Sequence, residues 1–296
     1  MKGTGRRWLE LAVRCPSAGD RDSLLADALI SMGARGVVER GAWYVAYFAE
    51  PEDADAFLAA ARVALGEESG LDDILVEHAW QEHEDWAESW KRGLRPRRVT
   101  DRIVVHPSWA PPDDMREGDI VIVLDPGMAF GTAEHGTTRG CLGLLDRVVS
   151  EGDRVLDVGA GSGILAIAAA KLGARHVVAI EGDPLACEAM TENVVRNGVA
   201  DRVRIVGKWA TGDDLTNEGP ASGIVANLET GLLEPLFAAL VHALAPGGWL
   251  VVSGILGDEW ENVRRALTAH DLCFVEAHSD GDWRTALFTR RARADA

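Results

Sequence analysis

The segment RVLDVGAGSGILAIAAAKLGA, Arg154 to Ala174, carries residue types that could hold a small cationic ligand. Its first half is an apolar strand that ends in Asp157, its second half is an Ala-rich helix, and Gly159, Gly161 and Gly163 lie between them. Glycines at such a junction let the backbone approach a bound molecule closely and turn directly into a helix N-terminus. A dinucleotide loop reads G-x-G-x-x-G and offers that terminus to a pyrophosphate. This loop reads G-x-G-x-G, one residue tighter, with Asp157 two residues ahead of the first glycine. A carboxylate there repels pyrophosphate and attracts a cation. S-adenosyl-L-methionine, with an ammonium at its amino-acid end and a positively charged sulfur, fits that description. A glycine-rich turn that binds nothing is the bland alternative.

Eighteen residues beyond Gly163 the run HVVAIE closes on Glu181. An acid at the end of the second strand of such a sheet can accept both ribose hydroxyls of an adenosine. Asp183, just before Pro184, reads instead as a helix cap. Glu181 would serve a nicotinamide dinucleotide equally well, so the glycine spacing has to separate the two. The run SGIVAN ends in Asn227, also at the carboxyl edge where open α/β sheets bind ligands, and Asn227 is either a reaction-site group or a helix cap. The segment LDPGMAFGTAEHGTT, Leu124 to Thr138, crowds glycines and hydroxyls ahead of a helix. That composition predicts a lid, with Phe130, Thr132 and His135 on its substrate side. Thr137 and Thr138 could equally be caps of the helix that follows. His135 has no second His or Cys at metal-ligand spacing, so no metal is expected.

These residues need a sheet to carry them. From Asp101 onward, strand-like runs alternate with helical ones, the mark of a doubly wound α/β, Rossmann-like sheet. The N-terminal part is different. Alternating apolar residues in Trp8 to Val13 predict a strand, and Asp20 to Met32 has helical spacing with Leu24, Leu25, Ala28 and Leu29 on one face. GVVER and WYVAYF follow as two strands about Gly41, then a helix over Asp53 to Leu65 and a strand over Ile74 to His78. The order βαββαβ is that of a ferredoxin-like α+β domain, a platform that more often binds partners than performs chemistry. In Gln81 to Thr100, Trp86 and Trp90 share one face of a short helix, which predicts interdomain packing more than a partner stripe, and a basic loop follows. The expected division is therefore a recruiting domain over 1–80, a linker over 81–100 and a catalytic domain over 101–296.

Composition narrows the function classes. A chain of 296 residues with 47% hydrophobic content can bury one large and one smaller core. The net charge of -17 repels phosphate backbones, so stable nucleic-acid binding is not expected. Such charge suits a basic protein partner, or simply keeps an enzyme in solution. Cys15, Cys141, Cys187 and Cys273 are scattered, as in a reducing compartment. No stretch reads as a signal peptide or membrane span, so a cytoplasmic location is expected.

Assembled, the sequence resembles the family of methyltransferases that modify ribosomal protein L11. The resemblance runs from WLEL and GARGVVE through DWAESWK, VVHPSW, LDPGMAFGT with HGTT, the glycine loop and VANL to PGGWLVVSGIL. It implies a class I methyltransferase sheet, S-adenosyl-L-methionine as cofactor, and lysine side chains, with the N-terminal amine, of L11 as acceptors. It also implies that Thr137, Thr138, Gly159, Glu181 and Asn227 bind cofactor or line the reaction site. Asn227 would be the catalytic group, accepting a hydrogen bond from a neutral amine that attacks the sulfonium methyl in line. The lid departs from the family's Gly-Thr-Gly-Thr-His-Pro-Thr-Thr, reading Gly131-Thr132-Ala133-Glu134-His135-Gly136-Thr137-Thr138. Loss of the proline predicts a looser lid, and Glu134 adds a charge beside the substrate. Glu181 stands where the family usually has Asp and reaches further. The rivals are a methyltransferase of another protein or a small molecule, an NAD-dependent oxidoreductase, and a non-catalytic binding module.

Overall fold

The computed structural model describes residues 7–16, 25, 28–29, 32–34, 37–40, 43–51, 53–69, 73–82, 94–125 and 129–292. The chain divides into two compact units, Met1–Gly93 and Leu94–Ala296. Trp86 and Trp90 of the expected connecting helix, and Leu24 of the first helix, lie outside the described residues.

In the first unit, β1 (Arg7–Arg14), β2 (Val37–Arg40), β3 (Trp43–Ala49) and β4 (Leu75–Glu82) form an antiparallel sheet of order β2-β3-β1-β4. The period-two pattern puts Leu9, Leu11 and Val13 of β1 on one face, all fully buried. Helix α1 (Ala54–Ser69) contributes Ala61 and Leu65, four residues apart and on one stripe, to the same core, beside Leu25, Ala28 and Leu29. The strand order is that of the ferredoxin-like fold.

The second unit is built on a seven-stranded sheet of order β10-β9-β8-β11-β12-β14-β13. Its strands are β8 (Arg154–Val158), β9 (His176–Glu181), β10 (Val203–Gly207), β11 (Ala221–Asn227), β12 (Leu244–Leu256), β13 (Leu272–Asp280) and β14 (Trp283–Arg290). The first five run parallel, and β14 enters antiparallel between β12 and β13. Helices α2 (Gly136–Val148) and α3 (Ile164–Leu172) cover one face, where Cys141, Leu145 and Ile167 pack with Val155. Helices α4 (Pro184–Arg196), α5 (Gly212–Glu218), α6 (Thr230–Leu233), α7 (Phe237–Ala243) and α8 (Trp260–Ala269) complete the layers, with α7 and α8 packed on the other face against Leu156. Helix α3 is apolar all round and buried over Ile164 to Ala170, as a helix enclosed between layers must be.

The runs RIVVHP and DIVIVLDP do not join this sheet. They form β6 (Ile103–His106) and β7 (Ile120–Val123), which pair with β5 (Arg97–Arg98) in a separate three-stranded sheet. Their connection contains Pro107, Pro111 and Pro112, which denies it the crossover helix of a βαβ unit. Strand β5 falls inside the segment read from sequence as linker, and the two units divide just ahead of it, at Gly93 and Leu94. In the large sheet the strand order reverses between β8 and β11. A sheet of this kind opens a crevice at the carboxyl ends of those two strands.

Candidate active site

After β8 the backbone takes positive φ at positions that favour glycine. Gly159 and Gly161 take φ of 73° and 53°, and a Cβ on Gly161 would lie 2.5 Å from the Phe130 carbonyl oxygen. That close approach fastens the loop to the segment before α2, where the Ser162 N–H donates to the Phe130 carbonyl at 2.8 Å and the Ser162 hydroxyl to that of Gly131 at 2.5 Å.

Glu181 ends β9 at the crevice with 9% of its surface exposed. Its Oε2 accepts the Gly161 N–H at 2.8 Å and its Oε1 the Asp183 N–H at 2.9 Å, so the acid braces the glycine loop. Each carboxylate oxygen retains a further acceptor site. Asp183 is the helix cap that its position suggested, accepting the Leu185 N–H at 2.9 Å.

A cavity of about 390 Å³ occupies the crevice. Of the residues singled out in the sequence, Phe130, Gly159, Gly161, Glu181 and Asn227 line it. Asn227 is half-buried at the end of β11, and its Nδ2 donates to Thr137 Oγ1 at 3.2 Å. It caps no helix, since Glu229 stands at the N-cap position of α6. Thr137 is 1% exposed, and its hydroxyl also meets His135 Nδ1 at 2.7 Å. Neither threonine caps α2, which starts at Gly136 with His135 at the cap position.

Thr132, His135, Thr137, Thr138 and Asp157 of the expected set do not line this cavity. Thr138 is fully buried and its Oγ1 has no hydrogen-bond partner among the described residues. Asp157 is also fully buried, in the middle of the sheet between Ala179 and Val225, and neither carboxylate oxygen has a partner of normal geometry. Burial pushes its carboxyl up to about 7, with the nearby Ala166 N–H opposing and the charge of Glu181 adding to the rise.

A glycine loop, an acid on the second strand and a carboxamide on the fourth thus share one cavity at the switch point of the sheet. Over residues 7–291 the chain matches the family described as ribosomal protein L11 methyltransferase (PrmA). The chain belongs to this family. It is 39% identical to the ribosomal protein L11 methyltransferase of Pelotomaculum thermopropionicum, over 93% of this chain and 96% of that one. With the enzyme of the same name from Pelobacter propionicus, identity is 34% over 97% and 99% of the two chains. A crystal structure of ribosomal protein L11 methylase from Lactobacillus delbrueckii subsp. bulgaricus superposes with a TM-score of 0.61 at 29% identity, covering 67% of this chain and 99% of that one. The oxidoreductase and the non-catalytic module are thereby set aside.

In this methyltransferase the charge expected beside the substrate lies off the cavity wall. Glu134 turns to Arg97 of β5, with Nη2 to Oε2 at 2.7 Å, and does not line the cavity. Arg139, in the first turn of α2, donates to the carbonyls of Ala133 at 3.3 Å and Glu134 at 2.5 Å and pairs with Asp280 at 2.5 Å. The guanidinium groups of Arg97 and Arg139 both contact this segment. Pro126, Gly127 and Met128 lie outside the described residues. Thr132 is half-buried, off the cavity wall, and its carbonyl accepts the His135 N–H at 3.2 Å.

Sequence reasoning missed the apolar half of the cavity, formed by Trp209, Leu228, Leu232 and Leu236. Trp209 is 70% exposed and rests on Gly182, where a Cβ would fall 2.2 Å from the indole. These residues follow β10 and β11, so the same rule that selected Asn227 could have found them. Among the described residues no cluster of His, Cys, Asp and Glu could hold a metal ion, and no helix is long and apolar enough to cross a membrane.

Proposed function

We propose that this enzyme transfers methyl groups from S-adenosyl-L-methionine to lysine side-chain amines, and to the N-terminal amine, of ribosomal protein L11, in the cytoplasm where ribosomes assemble. The observation that carries this reading is the single cavity onto which Gly161, Glu181 and Asn227 converge. Its volume of about 390 Å³ lies within the range of about 300–1,000 Å³ usual for small-molecule sites. Trp209 and Leu232 offer flat apolar surface to an adenine ring, the spare acceptor sites of Glu181 suit the ribose hydroxyls, and the bare backbone at Gly159 and Gly161 admits the amino-acid end. The bound cofactor supplies a methyl group on a positively charged sulfur.

The chain's own residues supply orientation and potential. Because Nδ2 of Asn227 donates to Thr137, Oδ1 is left to accept an N–H from the incoming neutral amine and so to aim its lone pair. The spare acceptor sites of Glu181 are assigned to the ribose hydroxyls, so the amine proton leaves to water. Asp157, buried beneath the loop, favours a cationic ligand once ionised. The N-terminal unit is the recruiter of the protein substrate, and the net charge of -17 suits a basic one.

The test is incubation with methyl-labelled cofactor and purified L11, followed by mass location of the label, with calorimetric titration of S-adenosyl-L-methionine and NAD alongside. Label on L11 amines and binding of the first ligand alone are expected. An unlabelled L11 beside a labelled second protein or small molecule would overturn the substrate.

A further inference from the structure

Three side chains join the lid segment to the reaction site in a line. His135 Nδ1 lies 2.7 Å from Thr137 Oγ1, and Thr137 Oγ1 accepts from Asn227 Nδ2 at 3.2 Å. The His135 ring is itself fixed. Phe130 meets it edge-on at 5.1 Å between centroids, Trp283 packs at 5.3 Å, and the backbone N–H is tied to the Thr132 carbonyl at 3.2 Å.

A threonine hydroxyl has one proton to give. In the Nε2–H tautomer of His135, Nδ1 accepts that proton and commits it, and the oxygen turns only lone pairs toward Asn227. Asn227 can then answer only with its NH₂, which leaves Oδ1 directed away from Thr137. If the proton were free it could be given to Oδ1 instead, and the carboxamide would turn over, presenting a donor where an amine needs an acceptor. We propose that His135 is a positioning residue for methyl transfer, fixing through Thr137 which end of the Asn227 carboxamide faces the amine. The proposal rests on the reading that Asn227 receives the amine, and it gives the lid histidine a task distinct from ligand contact.

The test is a cycle of variants in the full-length enzyme, followed by single-turnover methylation of L11 and calorimetric cofactor titration. His135→Phe keeps a ring between Phe130 and Trp283 but removes Nδ1. It should slow transfer about tenfold, the rate equivalent of one neutral hydrogen bond, with cofactor Kd unchanged. His135→Asn, which restores a polar partner near the Nδ1 position, should recover most of the rate, as a role in packing alone would not allow. Thr137→Ser should keep the rate and Thr137→Val lose it, a pair that still decides the matter if His135→Phe folds poorly. Adding His135→Phe to Asn227→Ala should cost nothing further, because the two act through one bond. A wild-type rate in His135→Phe, or losses that simply multiply in the double variant, would overturn the positioning role while leaving Asn227 in place. A wild-type rate in Asn227→Ala would overturn the reading beneath it.

Discussion

Asp157 is the residue at which burial and charge conflict most openly. Its carboxyl is raised from the ordinary 3.8 to about 7, so the folded chain holds this proton more tightly than the unfolded chain does. Its contribution to stability is therefore complete below about pH 4 and is lost as pH rises through about 7, with a limiting slope of about 1.4 kcal/mol per pH unit. Asp157→Asn removes that slope. Urea unfolding of the ligand-free proteins at pH 5 and pH 8 should show the variant gaining on the wild type at the higher pH, and parallel curves would contradict the assignment. Trp209 poses a different question, because at 70% exposure its indole adds little to the core and a great deal to the cavity wall. Trp209→Ala should weaken cofactor binding by about 1–2 kcal/mol with little change in Tm. Gly182→Ala, whose added Cβ would fall 2.2 Å from the ring, should displace the indole and reproduce that loss in a calorimetric titration. Unchanged affinity in both variants would remove Trp209 from the site.

At the scale of the element, the segment between β7 and α2 answers to contacts from both ends of the second unit. Arg97, Arg139 and Asp280 hold it, although 37 residues separate Arg97 from Glu134 and 141 separate Arg139 from Asp280. The Arg97 and Glu134 side chains are 41% and 36% exposed, so their ion pair adds about 0–1 kcal/mol to stability. Its expected effect is on the opening of the loop. Glu134→Gln should leave Tm nearly unchanged while cofactor release, followed by stopped-flow fluorescence, speeds up severalfold. Added salt should speed release from the wild type and leave the variant almost unaffected. Equal release rates at every ionic strength would show that the pair does not hold the loop.

For the whole molecule, the division at Gly93 and Leu94 governs where the chain can be cut. A fragment beginning at Leu94 keeps β5 and the ion pair of Arg98 with Asp119 at 2.7 Å, whereas one beginning at Asp101 loses both. The Arg98 guanidinium holds the Asp119 carboxyl down at about 2, so this pair stays charged throughout the physiological range. The longer fragment should bind S-adenosyl-L-methionine as the full chain does and melt higher than the shorter one. If residues 1–93 recruit the substrate, it should also fail to methylate intact L11. Full activity of that fragment on L11, measured by label incorporation, would deny the N-terminal unit its recruiting role.

Features that short-range chemistry encodes can be read along the chain. The alternation in Trp8 to Val13, the glycines from Gly159 to Gly163, Asp183 ahead of Pro184, and the strand ends at Glu181 and Asn227 each declare themselves within a few residues. A strand's period, a turn's need for positive φ and a helix cap are local requirements. The tertiary structure decided the rest, because it depends on the register and order of distant strands. Only the pairing of β8 with β9 and β11 buries Asp157 completely, and only the sheet order brings Asn227 within hydrogen-bond reach of Thr137, 90 residues away. Trp209 becomes a cavity wall because β10 ends beside β9, and Glu134 turns from the site because β5 presents Arg97. Those contacts join residues through space, and no periodicity along the chain records them.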